Sequence, residues 1–453
     1  MKIKALILSV FIICGCSHVK PTQNNSTILS LADSVSTTVK KNPELVILSK
    51  LRVFDDKQLS RLINNVFLNN NDLIKASLRL KEAKILYEQE KLALLPDLSS
   101  QIDLSETRGV KRRELQSRTF SSGININYEI DLWGKLSDVN DQRQWEMIAT
   151  AYDYQASMLT IAATAAKYYW EISLINSQLE NYYKRKQIIS ATKCLVMSEF
   201  KAGVKSELDV LTVNETMSDI QSSIYSLEKQ KELSKNALVV LLNRKDLNNV
   251  FFESKLVEYK PIEINNDSDI SSLLFRPDVQ SAAATLKSQS YNTYSVWKEM
   301  LPTFSLNFIL NSSSSLLSEV LNNPLNTVRS EIAFPFFSWF KKNKKIEISR
   351  VKKEQYEIDF VNIVNRSINE LRDFNAEINA ISKNIESIND KLKNQKHEMA
   401  INRSMYEAGC ISLKSYLATQ EKYYITKNEF LQSVCDYYYA NLKFILAQGL
   451  NEE

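Results

Sequence analysis

The sequence predicts a mixed α and β membrane protein built from one structural unit used twice, and three observations lead there. Seven glycines in 453 residues, where ordinary usage of roughly 7% gives about thirty, leave few tight turns, so the chain runs in long uninterrupted elements. Sliding the sequence by 206 positions superimposes its rarest residues, Pro96 on Pro302, Trp133 on Trp339 and Gly203 on Gly409, which marks an internal duplication. Within each unit the apolar period passes from helical to alternating and back in the same order.

Composition narrows the chemistry. With 57 Lys+Arg against 53 Asp+Glu, a balance of +4, there is no field suited to nucleic acid. Two histidines far apart, His18 and His397, and five cysteines without CxxC spacing argue against a His-based active site, a zinc site or any cofactor. Walker, GxSxG and HExxH patterns are missing from the sequence, so it reads as a non-enzyme.

The chain opens with basic Met1–Lys4, an apolar run from Ala5 to Ile13, and Cys14-Gly15-Cys16. A nine-residue run, apolar but for Ser9, is too short to span a bilayer of about 30 Å as a helix, but it fits a secretion signal. The small residues before Cys16 resemble a bacterial lipobox. Residues 1–15 are then the signal peptide, Cys16 carries the lipid, and polar residues 16–41 form a tether.

The first unit occupies residues 42–247. Leu59, Leu62, Ile63, Val66 and Phe67 at helical spacing, with neither Pro nor Gly from 57 to 94, predict one helix over that stretch. After Pro96, Ile102 and Leu104, then Ile124, Ile126, Tyr128 and Ile130, alternate with polar residues and predict two strands. From Trp133-Gly134-Lys135 no Pro or Gly occurs until Gly203, and a helix of about 65 residues runs roughly 100 Å. Gly203 turns the chain, and a further helix reaches about Leu242. An irregular joint over residues 246–275 leads into the second unit, 248–453. There Phe304, Leu306, Phe308 and Leu310, then Ile332, Phe334 and Phe336, predict strands, with Pro335 marking the end of the last. A helix from about Lys342 to Ala408, a turn at Gly409 and a helix to Gln448 complete it.

Four strands with one apolar face cannot close a barrel alone, since small bacterial barrels have about eight and an open edge in lipid strands unpaired backbone groups. Several subunits must share one. A soluble sandwich is the alternative; secretion, a lipid anchor and helices longer than a globular domain needs favour the membrane.

Several stretches resemble the TolC/OprM-type outer-membrane factors, lipoprotein branch. Tyr128-Glu129-Ile130-Asp131-Leu132-Trp133-Gly134-Lys135 is similar to the family signature where strand passes into helix. Phe54-Asp55-Asp56-Lys57-Gln58-Leu59 through Asn71-Asp72-Leu73 resembles its opening helix, and Arg276-Pro277-Asp278-Val279 the start of its second repeat. Leu301-Pro302-Thr303-Phe304-Ser305-Leu306 is similar to the start of its third strand, and Tyr406-Glu407-Ala408-Gly409 to its last tip turn.

The resemblance implies a homotrimer with a shared 12-stranded β-barrel in the outer membrane of a Gram-negative bacterium, continued by a long periplasmic α-helical barrel. It also implies docking to a periplasmic adaptor (membrane fusion) protein and a proton-driven inner-membrane pump, as the exit duct of a tripartite efflux pump for small molecules such as drugs, toxic compounds or metal ions. A type I protein-secretion duct on the same fold, or a non-conducting scaffold lipoprotein, are the alternatives.

A duct needs a hydrated lumen and an end that opens and closes. The turns at Gly203 and Gly409 are the expected tips, and Glu207, Asp209, Glu215 and Glu421 just past them are candidate gate or lumen charges. Where relatives often carry Leu-Asp-Ala-Gln-Arg, this chain has Leu417-Ala418-Thr419-Gln420-Glu421, so three copies of Glu421 are expected to supply the negative charge. Trp133, Gly134 and Trp339 mark the strand-to-helix junctions, where packing is expected of both tryptophans, with an interfacial aromatic belt as the alternative. Cys194, Cys410 and Cys435 are expected to be buried or on helix faces, and the four lysines within Lys341–Lys345 to mark a solvated helix start, with contact to anionic lipid or substrate as the alternative.

Overall fold

The computed structural model describes residues 42–110, 115–244, 254–256, 259–262, 270–322 and 324–450. The signal, Cys16 and the tether lie outside these residues, as does much of the joint. The helices are α1 (Pro43–Lys50), α2 (Lys57–Asn69), α3 (Asn71–Leu92), α4 (Lys135–Lys201), α5 (Glu207–Leu242), α6 (Pro277–Lys298), α7 (Trp339–Glu407) and α8 (Leu413–Ala447). The strands are β1 (Asp97–Arg108), β2 (Leu115–Ile130), β3 (Thr303–Ser314) and β4 (Leu325–Ala333). The mixed α and β class with four strands per chain holds. No described helix is long and apolar enough to cross a membrane.

Two expectations are corrected. The stretch from 57 to 94 is two helices, because Asn70 leaves the helical conformation and its Oδ1 accepts from the amides of Asp72 (2.9 Å) and Leu73 (3.1 Å) to start α3. The Asn70 amide then donates to the Leu241 carbonyl at 2.9 Å. The last strand ends at Ala333, before Phe334 and Phe336, because Pro335 lacks the N–H that the ladder needs.

The described residues form two compact units. One comprises Leu78–Tyr152 and Gln280–Ile363; the other runs to Ser77 and then takes Asp153–Val279 and Val364 onward. Each therefore draws on both sequence repeats. The first holds the sheet, ordered β1-β2-β3-β4 and antiparallel throughout, with Ile130 opposite Phe304 joining the repeats at its centre.

The second unit holds the main apolar core, where Leu59, Leu62, Ile63 and Val66 of α2 meet Met158, Ala162, Ala165, Ala166 and Trp170 of α4 and Tyr438 and Leu442 of α8. Alanines one helical turn apart give other helices close approach to α4. Phe54 meets Trp170 edge-on at 5.0 Å, and Tyr169 donates to the Asp56 carboxylate at 2.8 Å while Asp56 also caps α2.

The two long-helix reversals share one geometry. Gly203 and Gly409 both have φ of +75°, with Val204 N bonded to Glu199 O and Cys410 N to Met405 O, each at 2.8 Å. Ser206 and Ser412 then cap the next helix. Every one of these positions recurs at the offset found in the sequence.

Candidate functional site

In an antiparallel sheet, residues directly opposite each other project to the same face, so the register assigns both faces. One carries Leu98, Ile102, Leu104, Phe120, Ile124, Ile126, Tyr128, Ile130, Phe304, Leu306, Phe308, Leu310, Val328 and Ile332, all in phase. Several are open to the surroundings, Ile102 at 86% and Val328 at 72%. The other face carries Gln101, Asp103, Asn125, Asn127, Glu129, Ser305, Asn307, Arg329 and Glu331. The outer edges of β1 and β4 have no ladder partner among the described residues. A sheet that exposes this much apolar surface and two open edges is built to meet lipid on one side and further strands at its margins.

At the strand-to-helix junction, Asp131 accepts from Leu136 N (3.0 Å) and Ser137 N (2.8 Å), capping α4. Gly134 takes φ +71°, and half-buried Trp133 donates its indole N–H to the Pro302 carbonyl at 2.8 Å. Lys298, at the end of α6, pairs with Asp138 at 2.5 Å and donates to the Gly134 carbonyl at 3.0 Å. Trp339 differs from its counterpart and is 49% exposed.

Burial pushes the Asp138 carboxyl above its ordinary value against the downward pull of Lys298. The folded state thus holds the Asp138 proton more tightly than the unfolded chain. This group's contribution to stability is full below the ordinary Asp value near 4 and declines as pH rises through its folded value. Lys298→Met removes the compensating charge, so its loss of thermal stability is expected to be larger at pH 7 than at pH 4, by about 2 kcal/mol. An equal loss at both values would show that only packing was removed.

In the second unit, the two helix hairpins differ inside. Along α4 and α5 the buried residues include Ile189, Val196, Val213, Ile220 and Ile224, with Asn181, Arg185 and Ser234 among them. Along α7 and α8 they include Gln395, Thr419, Gln420 and Thr426, with Asn402 donating to Thr419 at 2.8 Å. The turns also differ. Val204, Leu208 and Leu211 are 71%, 69% and 56% exposed around Gly203, whereas Leu413 and Leu417 past Gly409 are buried. Leu211 and Leu417 are equivalent in the repeat, yet one faces out and the other in.

The four predicted acidic residues do not form one cluster. Glu207 and Glu215 are exposed. Asp209 is half-buried in a capping box, accepting from Ser206 N at 3.0 Å, and hydrogen bonds from Ser206 hold its carboxyl below the ordinary value. Glu421 is ion-paired with Arg185 of α4, whose side chain is 6% exposed, so its charge is met within the same chain. Sequence reasoning missed Arg185 and Lys298; nothing local marks either, because their partners are distant in the chain. Cys194 and Cys410 are exposed, and Cys435 is buried, its thiol pushed up to about 12 by burial.

Comparison with known proteins fits this geometry. The family model described as outer membrane efflux protein matches residues 62–244 and 271–443, one segment in each repeat. The chain is 22% identical over 390 residues to the cation efflux system protein CusC of Escherichia coli K12, covering 83% of each. It is 20% identical over 449 residues to the probable outer membrane lipoprotein SilC of Salmonella typhimurium, covering 95% of each. The crystal structure of the Campylobacter jejuni CmeC outer membrane channel has the same fold, with a TM-score of 0.82 at 21% identity over 88% of this chain and 87% of that one. Duplicated in sequence, matched in both repeats, and folded into a two-faced sheet with paired long-helix hairpins, the chain belongs to the outer membrane efflux protein family.

Proposed function

We propose that the chain is the outer-membrane exit duct of a tripartite efflux pump, acting as a homotrimer whose copies share one 12-stranded barrel. The observation that carries this is the sheet with one apolar face, one polar face and two open edges. Copies of the chain would satisfy both edges, which lipid cannot. Solute would pass along the polar face, in a wet lumen that performs no covalent chemistry.

The anchor is the lipid on Cys16, inserted in the outer membrane with the helical part in the periplasm. The naming of SilC as a probable outer membrane lipoprotein supports this reading; Cys16→Ala is expected to abolish lipid labelling. The apolar patch at the Gly203 turn suits docking of a periplasmic adaptor, which links the duct to a proton-driven inner-membrane pump. The Gly409 turn belongs to the hairpin that buries Gln395, Thr419, Gln420 and Thr426 among its apolar residues and suits the moving gate, with Arg185–Glu421 as one of its ties.

The substrates are small molecules, drugs, toxic compounds or metal ions. Deleting the gene in its own host is expected to raise intracellular accumulation of a hydrophobic dye or a toxic cation severalfold and leave secreted polypeptides unchanged. The reverse outcome, lost polypeptide secretion with unchanged accumulation, would establish a type I secretion duct instead.

A further inference from the structure

We propose that the junction of β4 and α7 is a binding surface for anionic phospholipid headgroups of the leaflet facing the helical part of the molecule. Phe334, Phe336, Trp339 and Phe340 are 56%, 70%, 49% and 87% exposed, and the Phe334 and Phe336 rings stack at 5.3 Å. By register Phe334 follows Val328 and Ile332 on the apolar face, one residue beyond the last ladder pair, Thr303 with Ala333. The patch therefore continues the lipid-facing surface to its margin, where the amphipathic ring of Trp339 suits the headgroup level and the three phenyl rings suit the acyl chains beside it.

Four lysines follow at once: Lys341, Lys342, Lys344 and Lys345. Two carboxylates answer them, Glu299 at 3.1 Å from Lys345 and Glu347 at 2.7 Å from Lys344. Lys342 donates to the Glu299 carbonyl, while exposed Lys341 has no ion pair among the described residues. Two cations thus exceed the local anions in each copy. They lie in the opening turns of α7, where the helix dipole disfavours cations and no acidic residue occupies the first turn.

The first repeat shows that the fold does not require this arrangement. At the equivalent junction Asp131 caps α4, and Trp133 is half-buried and hydrogen-bonded. In the second copy Trp339 is exposed, Phe337 stands in the place of Asp131 and Lys344 in that of Asp138, and Lys341 corresponds to Lys135, which in the first repeat is paired with Glu129 at 2.5 Å whereas Lys341 is not so paired. Exposed rings beside surplus lysines at the edge of a lipid-facing sheet complement an anionic headgroup with its acyl chains. A soluble anion would leave the rings unused.

The test uses the full chain, purified and reconstituted into phosphatidylethanolamine vesicles containing phosphatidylglycerol. After re-extraction, the ratio of the two lipids retained by the protein is measured for the wild type, for Lys341→Gln, for the triple variant Lys341→Gln, Lys344→Gln, Lys345→Gln, and for the corresponding triple Arg variant. The wild type is expected to enrich phosphatidylglycerol over the bulk ratio. Lys341→Gln should reduce that enrichment by up to about fivefold, the effect of one lysine at an anionic surface, and the triple variant further, while the Arg variant keeps it. Equal retention of both lipids by the wild type, or enrichment unchanged in the Gln variants, would overturn the proposal. Loss of the oligomer in Lys341→Gln would also overturn it, by identifying the surface as a contact between copies. Ion conductance through the same vesicles reports separately on the duct, so the two readings fail independently.

Discussion

Gly449→Ala is expected to lower the stability of the protein by about 3 kcal/mol, read as a drop in the thermal unfolding midpoint in detergent. Gly449 ends α8 at φ +82°, and a methyl there would lie 2.5 Å from the Phe275 carbonyl oxygen and 2.8 Å from Arg276 N. Left-handed backbone costs a non-glycine residue about 1 kcal/mol, and the clash adds to it because backbone on both sides must shift. The Phe275 carbonyl is already engaged, accepting from Leu450 N at 3.2 Å. The adjacent Arg276 is held by Asp278 and Glu370 at 2.7 and 2.8 Å. Gly203→Ala is the control: it has the same sign of φ, with nothing within 4 Å of an added methyl, so only the backbone cost of about 1 kcal/mol is expected. Equal losses at the two sites would show that the Phe275 contact carries no weight.

Glu421→Gln is expected to increase the open fraction of the duct about tenfold, measured as mean current per channel in planar bilayers. The substitution keeps shape and removes charge, leaving the buried Arg185 guanidinium without its carboxylate. Breaking a fully buried pair costs roughly 3–5 kcal/mol. The Glu421 side chain is 42% exposed, so water offsets part of that, and about 1–2 kcal/mol is the expected weakening of the tie between α4 and α8. Wild-type current from Glu421→Gln would remove this pair from the gate.

The duplication, the strand faces and the helix reversals were legible because each rests on local chemistry. Rare residues recur at one offset, side chains alternate along strands, and Gly203 and Gly409 stand where only a left-handed residue turns a helix so tightly. Asp209 reads in the sequence as a gate or lumen charge, although Ser206 followed three residues later by an acid is a helix-start pattern, and the capping box the two form accounts for its charge without a gate.

What could not be read depended on partners far along the chain. The break at Asn70 lies within a helical pattern and is held in place by a carbonyl at Leu241. Glu421 looked like free charge because its partner, Arg185, belongs to the other hairpin. Trp339 was expected to pack as Trp133 does, since repeat equivalence predicts backbone position but not which way a side chain has diverged.

The most direct measurement is ion current across a planar bilayer containing the purified full chain, with its oligomeric state determined in the same preparation. The account predicts discrete conducting units, each containing three copies, with current enhanced by Glu421→Gln. A folded, membrane-inserted protein that carries no current, with or without that substitution, would contradict it.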